Sequence, residues 1–319
     1  MRFQVTTAHS LQEAFDALRQ DSAVYPVSGG TDIIPRVNQK IEEHSKYLLL
    51  SQIPGLRYIE PDGDGYSIGA MTTLTEIAEA RMTEGARVLQ QAASQVASPQ
   101  IRNNGTIGGN LLQENRCIYF NQSVSWRREE CCFKLGGDRC YQYRGSKECV
   151  ALLQSDTAPA LMSLGATVVL ESENGMREIP VSELYLPRGR NNKTLQPGEI
   201  LTKVKIPSLK GVRSAYVRET IRGSIDFPLI SCAAALYMDG DMIRRASIVI
   251  GCAGSRPAHA QKSEEMLCGK CLAEVKDCIA DVADNAKSVI MPFRDSRVDG
   301  PTRKVMGAEA VKKALEKLI

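Results

Sequence analysis

The segment from Pro26 to Ile33 has the sequence PVSGGTDI, in which a predicted strand ends in a glycine pair and a helix follows directly. Gly29 and Gly30 remove side chains from this turn, so backbone N–H groups and the Thr31 hydroxyl can approach an anionic group. A purely structural turn, capped by Thr31 or Asp32, has the same pattern. Taken alone, the segment indicates an anion-binding turn but leaves the structural alternative open.

A second glycine pair lies in TIGGNLL, from Thr106 to Leu112, and follows an IRNNG turn in the next α/β unit. Thr106 and Asn110 flank Gly108 and Gly109, and their side chains can donate to phosphate or to flavin edge atoms. Two such loops in adjacent units fit opposite sides of one pyrophosphate. Neither loop matches the G-x-G-x-x-G fingerprint or a Walker P-loop, which disfavours the common NAD and ATP folds.

Composition limits the classes of protein to which the chain can belong. The 319 residues are 43% hydrophobic and 24% charged, with a formal net charge of +3. No apolar run approaches the ~20 residues that span a bilayer, so we expect no membrane span. Acidic and basic residues alternate without a basic stripe, which argues against nucleic acid as a partner. The N-terminus lacks the pattern of a secretory signal, and we predict a cytoplasmic location.

Periodicity predicts an α+β protein of three units. Strands and helices alternate in residues 1–52, and residues 53–208 begin with a DGDG hairpin and close a second sheet near Pro207. Residues 209–319 carry three strand patterns followed by helices, which predicts a three-stranded sheet backed by helices. Within this last unit, Cys268 and Cys271 of a CGKC segment fall inside a long helical pattern, so we assign them no redox role.

Five of the ten cysteines fall within 33 residues, from Cys117 to Cys149, and no cysteine precedes them. Clustered cysteines in a chain without a secretory signal most often bind metal. Zinc and a regulatory disulfide are the alternatives. Zinc sites usually contain a C-x(2–4)-C pair, which this segment lacks, so an iron-sulfur cluster is favoured.

Four segments together resemble the FAD subunit of the xanthine dehydrogenase and carbon monoxide dehydrogenase family, over nearly the whole chain. They are SGGTDII, TIGGNLL, SDTAPALMSLGA and DFPLISCAAAL. The resemblance implies a two-part vanillyl-alcohol-oxidase (PCMH)-type FAD domain, followed by a smaller C-terminal domain of the CO dehydrogenase flavoprotein type. It also implies a set of FAD-binding residues: Pro26, Val27, Ser28, Gly29, Gly30, Thr31, Asp32, Ile33, Thr106, Gly108, Gly109, Asn110, Asp156 and Arg218. Arg218 stands where the family has a lysine, which changes the geometry of that position.

The segment from residue 115 to residue 152 resembles the insertion of the 4-hydroxybenzoyl-CoA reductase beta subunit, which carries a 4Fe-4S cluster. The resemblance implies four ligands spaced 15, 8 and 9 residues apart: Cys117, Cys132, Cys140 and Cys149. Cys131 is the spare thiol, although spacing leaves open that it replaces Cys132. Six basic residues of the segment would offset thiolate charge or meet an acidic electron donor: Arg116, Arg127, Arg128, Lys134, Arg139 and Arg144. A solvated polar loop is the alternative interpretation of these residues.

The resemblance implies an electron-transfer subunit that does no substrate chemistry alone. Electrons from reduced ferredoxin would pass through the 4Fe-4S cluster and FAD to 2Fe-2S clusters on a small subunit. A molybdopterin-binding large subunit would then remove the hydroxyl group of 4-hydroxybenzoyl-CoA, in a dimer of heterotrimers. Two alternatives are the FAD subunit of an oxidative xanthine, aldehyde or N-heterocycle dehydrogenase, and a flavin-free scaffold or regulator.

Overall fold

The computed structural model describes residues 3–126, 131–291 and 297–319. Its first unit is a parallel sheet of three strands in the order β1-β3-β2. The unit contains, in chain order, β1 (Gln4–Thr7), α1 (Leu11–Gln20), β2 (Val24–Val27), α2 (Ile33–Asn38) and β3 (Lys46–Leu49). Helix α1 begins where the Ser10 hydroxyl accepts a bond from the Glu13 N–H. The glycine pair, Gly29 and Gly30, follows β2. The first glycine loop therefore begins at the end of a strand of this sheet.

The second unit is an antiparallel sheet of five strands in the order β4-β5-β8-β6-β7. Its strands are β4 (Ile59–Asp62), β5 (Gly65–Gly69), β6 (Thr167–Ser172), β7 (Gly175–Pro180) and β8 (Ile200–Ile206). Its helices are α3 (Leu74–Glu79), α4 (Arg87–Ser94), α5 (Pro99–Arg102), α6 (Ile107–Leu112) and α7 (Thr157–Ser163). The predicted hairpin is present between β4 and β5, with Gly63 at a φ of 59° in the turn.

The cysteine-rich segment connects α6 to α7 and contains little regular structure. Its described part has two short 3-10 turns, Val124–Trp126 and Phe133–Leu135. Its two ends are joined, because Arg116 and Leu152 exchange two backbone hydrogen bonds of 2.8 and 2.9 Å. Arg127 and Arg128, two of the predicted basic residues, lie outside the described residues.

The third unit is an antiparallel sheet of four strands in the order β12-β11-β10-β9, with helices packed on one face. Its elements are β9 (Val212–Glu219), β10 (Ile230–Asp239), β11 (Met242–Gly251), β12 (Ala258–His259), α8 (Gln261–Leu267), α9 (Leu272–Ala286) and α10 (Gly300–Glu316). The prediction of three strands was therefore wrong by one. The extra strand β12 has two residues, too few to show an alternating pattern, and it pairs with Val249 and Ile250.

The CGKC segment is a turn between α8 and α9, and its predicted position inside one long helix was wrong. Helical backbone ends at Leu267, because Cys268 has an extended ψ of 133°, and Gly269 follows with a φ of 80° that helical residues do not adopt. Cys271 then precedes α9, and its N–H donates to the Glu274 carboxylate at 2.7 Å. Cys268 is exposed, and neither thiol belongs to the cavities described below.

The longest helices are α10 with 17 residues and α9 with 15. A helix needs ~20 apolar residues to cross the hydrocarbon core of a bilayer. Within the described ranges, no helix combines the length and apolar character that a membrane crossing requires.

Helix α7 is buried on every side and joins the second unit to the third. All seven of its residues are buried, and it packs against α4 and α6 as well as β10 and β11. A Cβ on Gly251 of β11 would lie 3.0 Å from the Pro159 ring, so helix and strand are in close contact. Because one helix supplies core to both units, their stabilities are coupled.

We expect Leu161→Ala to lower the free energy of unfolding by about 2–5 kcal/mol, because Leu161 is fully buried in α7. The loss should appear in a single transition of urea unfolding followed by circular dichroism. Leu186→Ala, at a residue that is 42% exposed, is the matched control and should cost less than about 1 kcal/mol. Two separate transitions in the Leu161 variant would contradict the coupling of the two units.

Candidate functional site

A cavity of about 480 Å³ lies where the first two units meet, within the size range of small-molecule and cofactor sites. Both glycine loops line it. The predicted site residues on its walls are Pro26, Val27, Ser28, Gly30, Thr31, Asp32, Ile33, Thr106, Gly108, Gly109 and Asn110. The structure therefore brings together eleven of the fourteen residues that the sequence assigned to one ligand.

The two loops touch each other as well as the cavity. The Thr106 hydroxyl donates to the Ser28 hydroxyl at 3.1 Å and accepts the Gly109 N–H at 3.0 Å. Gly29 lies behind the cavity wall, where a Cβ would stand 1.7 Å from the backbone carbonyl oxygen of Asn104. Only glycine permits this approach, so Gly29 contributes by holding the loops together and does not line the cavity.

Asp32 is neutralised by two arginines that also line the cavity. Its carboxylate lies 3.1 Å from the Arg36 guanidinium and 2.6 Å from that of Arg116. The Glu114 N–H donates to the same carboxylate at 3.1 Å, and the Arg116 guanidinium stacks 4.3 Å from the centroid of the Phe227 ring. Asp32 therefore positions cationic groups at the cavity.

Asn110 faces the cavity but uses its side-chain oxygen elsewhere. That oxygen accepts bonds from the Ser155 hydroxyl at 2.7 Å and the Thr157 hydroxyl at 2.7 Å. It also accepts the Thr157 N–H at 3.3 Å. These bonds fix the second loop to the start of α7 and leave only the amide N–H₂ group of Asn110 as a donor for a ligand.

Asp156 and Arg218 form a buried ion pair outside the cavity. The Arg218 guanidinium donates to the Asp156 carboxylate at 2.9 Å, and the Tyr216 hydroxyl donates to it at 2.6 Å. Burial raises the pKa of the Asp156 carboxyl, and the Arg218 charge acts in the opposite direction. The pair ties β9 of the third unit to α7, and neither side chain is among the residues that line the cavity.

A second, smaller cavity of about 20 Å³ lies in the cysteine-rich segment. Four cysteines line it, namely Cys117, Cys132, Cys140 and Cys149. The fifth, Cys131, is exposed and is not on its walls. The cavity thus contains the same four thiols that the sequence singled out.

Of the four cysteines of this cavity, Cys149 is buried and the other three are partly exposed. Burial raises the pKa of Cys117 to about 12, and it also raises the pKa of Cys149. The Cys117 thiol donates to the Gln142 side-chain oxygen at 3.6 Å. Across the described part of the chain, no three His, Cys, Asp or Glu side chains come close enough together to bind a single metal ion.

Contacts of charged residues link the two cavities. Lys134 lines the cysteine cavity and forms an ion pair with Glu114, whose backbone N–H donates to Asp32 of the first cavity. Nearby, the Lys193 ammonium donates to the side-chain oxygens of Asn115 at 3.4 Å and Asn192 at 2.9 Å. Burial lowers the pKa of Lys193 to about 8, and the Glu114 charge opposes that shift.

We expect Lys193 to make stability depend on pH above about 8. The unfolded chain binds its lysine proton up to pH ~10.4, so between these values it holds more protons than the folded chain. The contribution of Lys193 to the free energy of unfolding should therefore rise with pH in this window, by up to ~1.4 kcal/mol per unit. Urea unfolding at several pH values should show this rise in the difference between wild type and Lys193→Met.

Lys262→Met, at an exposed position of α8, removes the same charge and serves as the control for the Lys193 variant. If the free energy of unfolding of wild type and of Lys193→Met has the same pH profile, the Lys193 ammonium is not buried in solution.

Comparison with known families matches both parts of the chain. Residues 1–209 match the FAD binding domain in molybdopterin dehydrogenase, and residues 215–318 match the CO dehydrogenase flavoprotein C-terminal domain. The nicotinate dehydrogenase FAD-subunit of Eubacterium barkeri is 30% identical, covering 95% of this chain and 94% of that protein. The carbon monoxide dehydrogenase medium chain of Hydrogenophaga pseudoflava is 25% identical, covering 98% and 96%.

Solved structures agree with this assignment at the level of the fold. A carbon monoxide dehydrogenase structure from Hydrogenophaga pseudoflava superposes with a TM-score of 0.80 at 24% identity, over 100% of this chain and 97% of the other. Quinoline 2-oxidoreductase from Pseudomonas putida 86 gives a TM-score of 0.80 at 21% identity, over 100% and 97%. The predicted α+β class and order of domains are confirmed. The chain belongs to the molybdopterin dehydrogenase family, which includes the carbon monoxide and xanthine dehydrogenases, and it is an FAD-binding medium subunit of that family.

Proposed function

We propose that this chain carries electrons through FAD and one 4Fe-4S cluster in a molybdenum hydroxylase complex that oxidises its substrate. The observation that carries the proposal is that four cysteines line one cavity, a few residues along the chain from the flavin cavity. The oxidative direction is supported by the relatives, which are named as nicotinate dehydrogenase, aldehyde oxidoreductase and carbon monoxide dehydrogenase subunits.

We place FAD in the 480 Å³ cavity, with its diphosphate between the two glycine loops. Gly30 has a φ of 71°, which turns the chain sharply between β2 and α2. Backbone N–H groups and the Thr31 hydroxyl supply neutral donors there, while Arg36 and Arg116 supply positive charge. The residues that line the cavity include no histidine or cysteine, so we expect the flavin to be held without a covalent bond.

Gly29→Ala should weaken FAD binding about tenfold or more, because the new methyl would push the first loop away from Asn104. Flavin fluorescence titration of the apoprotein would measure the dissociation constant. Gly55→Ala is the matched control, since Gly55 has open space around it and a φ of 76°. We expect that variant to lose a little stability and to bind FAD as wild type does. Equal FAD affinity in all three proteins would contradict the proposed role of the loop contact.

The cysteine cavity suits an iron-sulfur cluster by the chemistry of its donors. Four thiols are the ligand set of a 4Fe-4S cluster, and each would bind a different iron atom. Thiolates around such a cluster stand further apart than thiolates around one zinc ion, to which Zn–S bonds of ~2.3 Å would draw all four. A volume of about 20 Å³ means that the segment must widen to admit the cluster. The irregular backbone of the segment can make this adjustment.

Replacement of each cysteine in turn should identify the ligands. We expect Cys117→Ala, Cys132→Ala, Cys140→Ala and Cys149→Ala to lose about four iron atoms per chain, because each removes one ligand of the cluster. Cys131→Ala should keep its iron, since Cys131 is exposed outside the cavity. Iron, zinc and FAD would be measured on anaerobically purified protein.

FAD should remain bound in all five cysteine variants, because none of the cysteines lines the flavin cavity. Zinc in place of iron would refute the cluster. Loss of iron in Cys131→Ala, with full iron in Cys132→Ala, would instead reassign the second ligand.

When bound, FAD exchanges electrons in pairs or singly, and the cluster carries one at a time. The chain's own part is to hold the two sites close together and to limit access of water. Residues 113–117 lead directly from the flavin cavity to the first cysteine, so the separation of the two sites is short along the chain. The Arg116 guanidinium is held over Phe227 at the flavin cavity, one residue before that cysteine.

We infer that the substrate chemistry belongs to partners: a molybdopterin-binding large subunit and a small subunit with 2Fe-2S clusters, assembled as a dimer of heterotrimers. The names of the relatives, FAD-subunit and medium chain, support assembly into a larger complex. Size-exclusion chromatography of the active species should give a mass well above the 35.0 kDa of this chain.

A second candidate function is reductive, with electrons from ferredoxin used to dehydroxylate 4-hydroxybenzoyl-CoA. The converging cysteines favour it, because an additional cluster provides an extra route for electrons. Anaerobic spectroscopy of the complex separates the two directions. Bleaching of the flavin by nicotinate, an aldehyde or a purine supports oxidation. Loss of a hydroxyl from 4-hydroxybenzoyl-CoA, with a low-potential donor, supports reduction.

A further inference from the structure

Lys134 is a buried cation at the wall of the cysteine cavity. Only 5% of its side chain is exposed, although it belongs to a segment in which most charged side chains face solvent. Its ammonium donates to the Arg190 backbone carbonyl at 2.8 Å and lies 5.3 Å from the centroid of the Phe120 ring. A lysine held this way keeps its charge at one place beside the four thiols, which a solvated lysine does not do.

Glu114 is the carboxylate partner of Lys134 and lies outside the lining of the cysteine cavity. Its backbone N–H donates to Asp32, which pairs in turn with Arg116 at the flavin cavity. These contacts connect the charged side chains of the flavin cavity to Lys134 at the cysteines.

The position of these charges has a definite electrostatic consequence. Each electron added to a cluster bound by four thiolates makes it more negative, so a fixed cation nearby stabilises the reduced form. A fixed anion has the opposite effect. Solvent screens the buried Lys134 charge little, and it screens the Glu114 charge more, because 29% of the Glu114 side chain is exposed. The cation, which is nearer the cysteines, should dominate.

We propose that the buried Lys134 and its partly exposed partner Glu114 form a charge pair that sets the reduction potential of the cluster, with Lys134 raising it and Glu114 lowering it. Both are positioning residues, because neither is a ligand. The inference rests on the proposed function, since it requires a cluster in the cysteine cavity. It goes beyond that function by assigning the direction of electron flow between cluster and flavin to two specific side chains.

The test is a redox titration of the full chain, monitored by electron paramagnetic resonance at about pH 6.5, where lysine stays protonated. Lys134→Gln should lower the potential of the cluster, changing the ratio of reduced to oxidised cluster about tenfold, or ~59 mV for one electron. Glu114→Gln should shift the ratio in the opposite direction. Lys134→Arg keeps the charge and should stay close to wild type.

The control is Lys147→Gln, which removes the same charge from the same segment at an exposed position two residues from Cys149. Its potential should match that of wild type because water and salt screen the lost charge. The flavin potential should stay constant in every variant, which a general disturbance of the fold would not allow. Iron content measured on each sample separates a change of potential from loss of the cluster.

Shifts of opposite sign in Lys134→Gln and Glu114→Gln would support the inference. Equal potentials, shifts of the same sign, or an equal shift in Lys147→Gln would overturn it while leaving the cluster itself in place. Wild-type protein without iron would overturn the proposed function together with this inference.

Discussion

The close approach of Gly29 to the backbone carbonyl of Asn104 is the contact on which the rest of the site depends. Gly29 and Asn104 are 75 residues apart in the chain, and the two glycine loops, which belong to different units, enclose one cavity because the backbones can meet there. The Thr106 hydroxyl strengthens this meeting by bonding both Ser28 and Gly109. Two separate units therefore line one cavity because a side chain is absent at position 29.

The charged side chains near this contact form ion pairs. Because these side chains are partly or fully buried, solvent screens their charges less than it would at the surface. Asp32 pairs with Arg36 and Arg116, and it accepts the backbone N–H of Glu114, whose carboxylate pairs with Lys134 at the cysteines. Isolated buried charges are unfavourable, whereas charges with opposite neighbours and hydrogen bonds are tolerated. The same arrangement places two guanidinium groups, those of Arg36 and Arg116, at the flavin cavity. It also gives the cysteine cavity a buried cation, Lys134.

The glycine loops could be predicted from sequence because short local patterns encode them, whereas the set of four cysteines came from a resemblance, since spacing alone left Cys131 and Cys132 as alternatives. Arg36 and Arg116 could not be assigned to the flavin cavity, since their orientation depends on Asp32, which is 84 residues from Arg116. Asp156 and Arg218 were placed near the flavin by resemblance, but the structure pairs them with each other, outside the lining of the cavity. The turn at Gly269 was missed because helical periodicity continues on both sides of it, and a single glycine is weak evidence against a helix.

Two backbone hydrogen bonds between Arg116 and Leu152 join the two ends of the cysteine-rich segment. A loop closed at its base costs only slightly more entropy when it grows longer, and it transmits little strain to the structure beneath it. The length of the segment can therefore change while α6, α7 and the flavin cavity between the sheets keep their places.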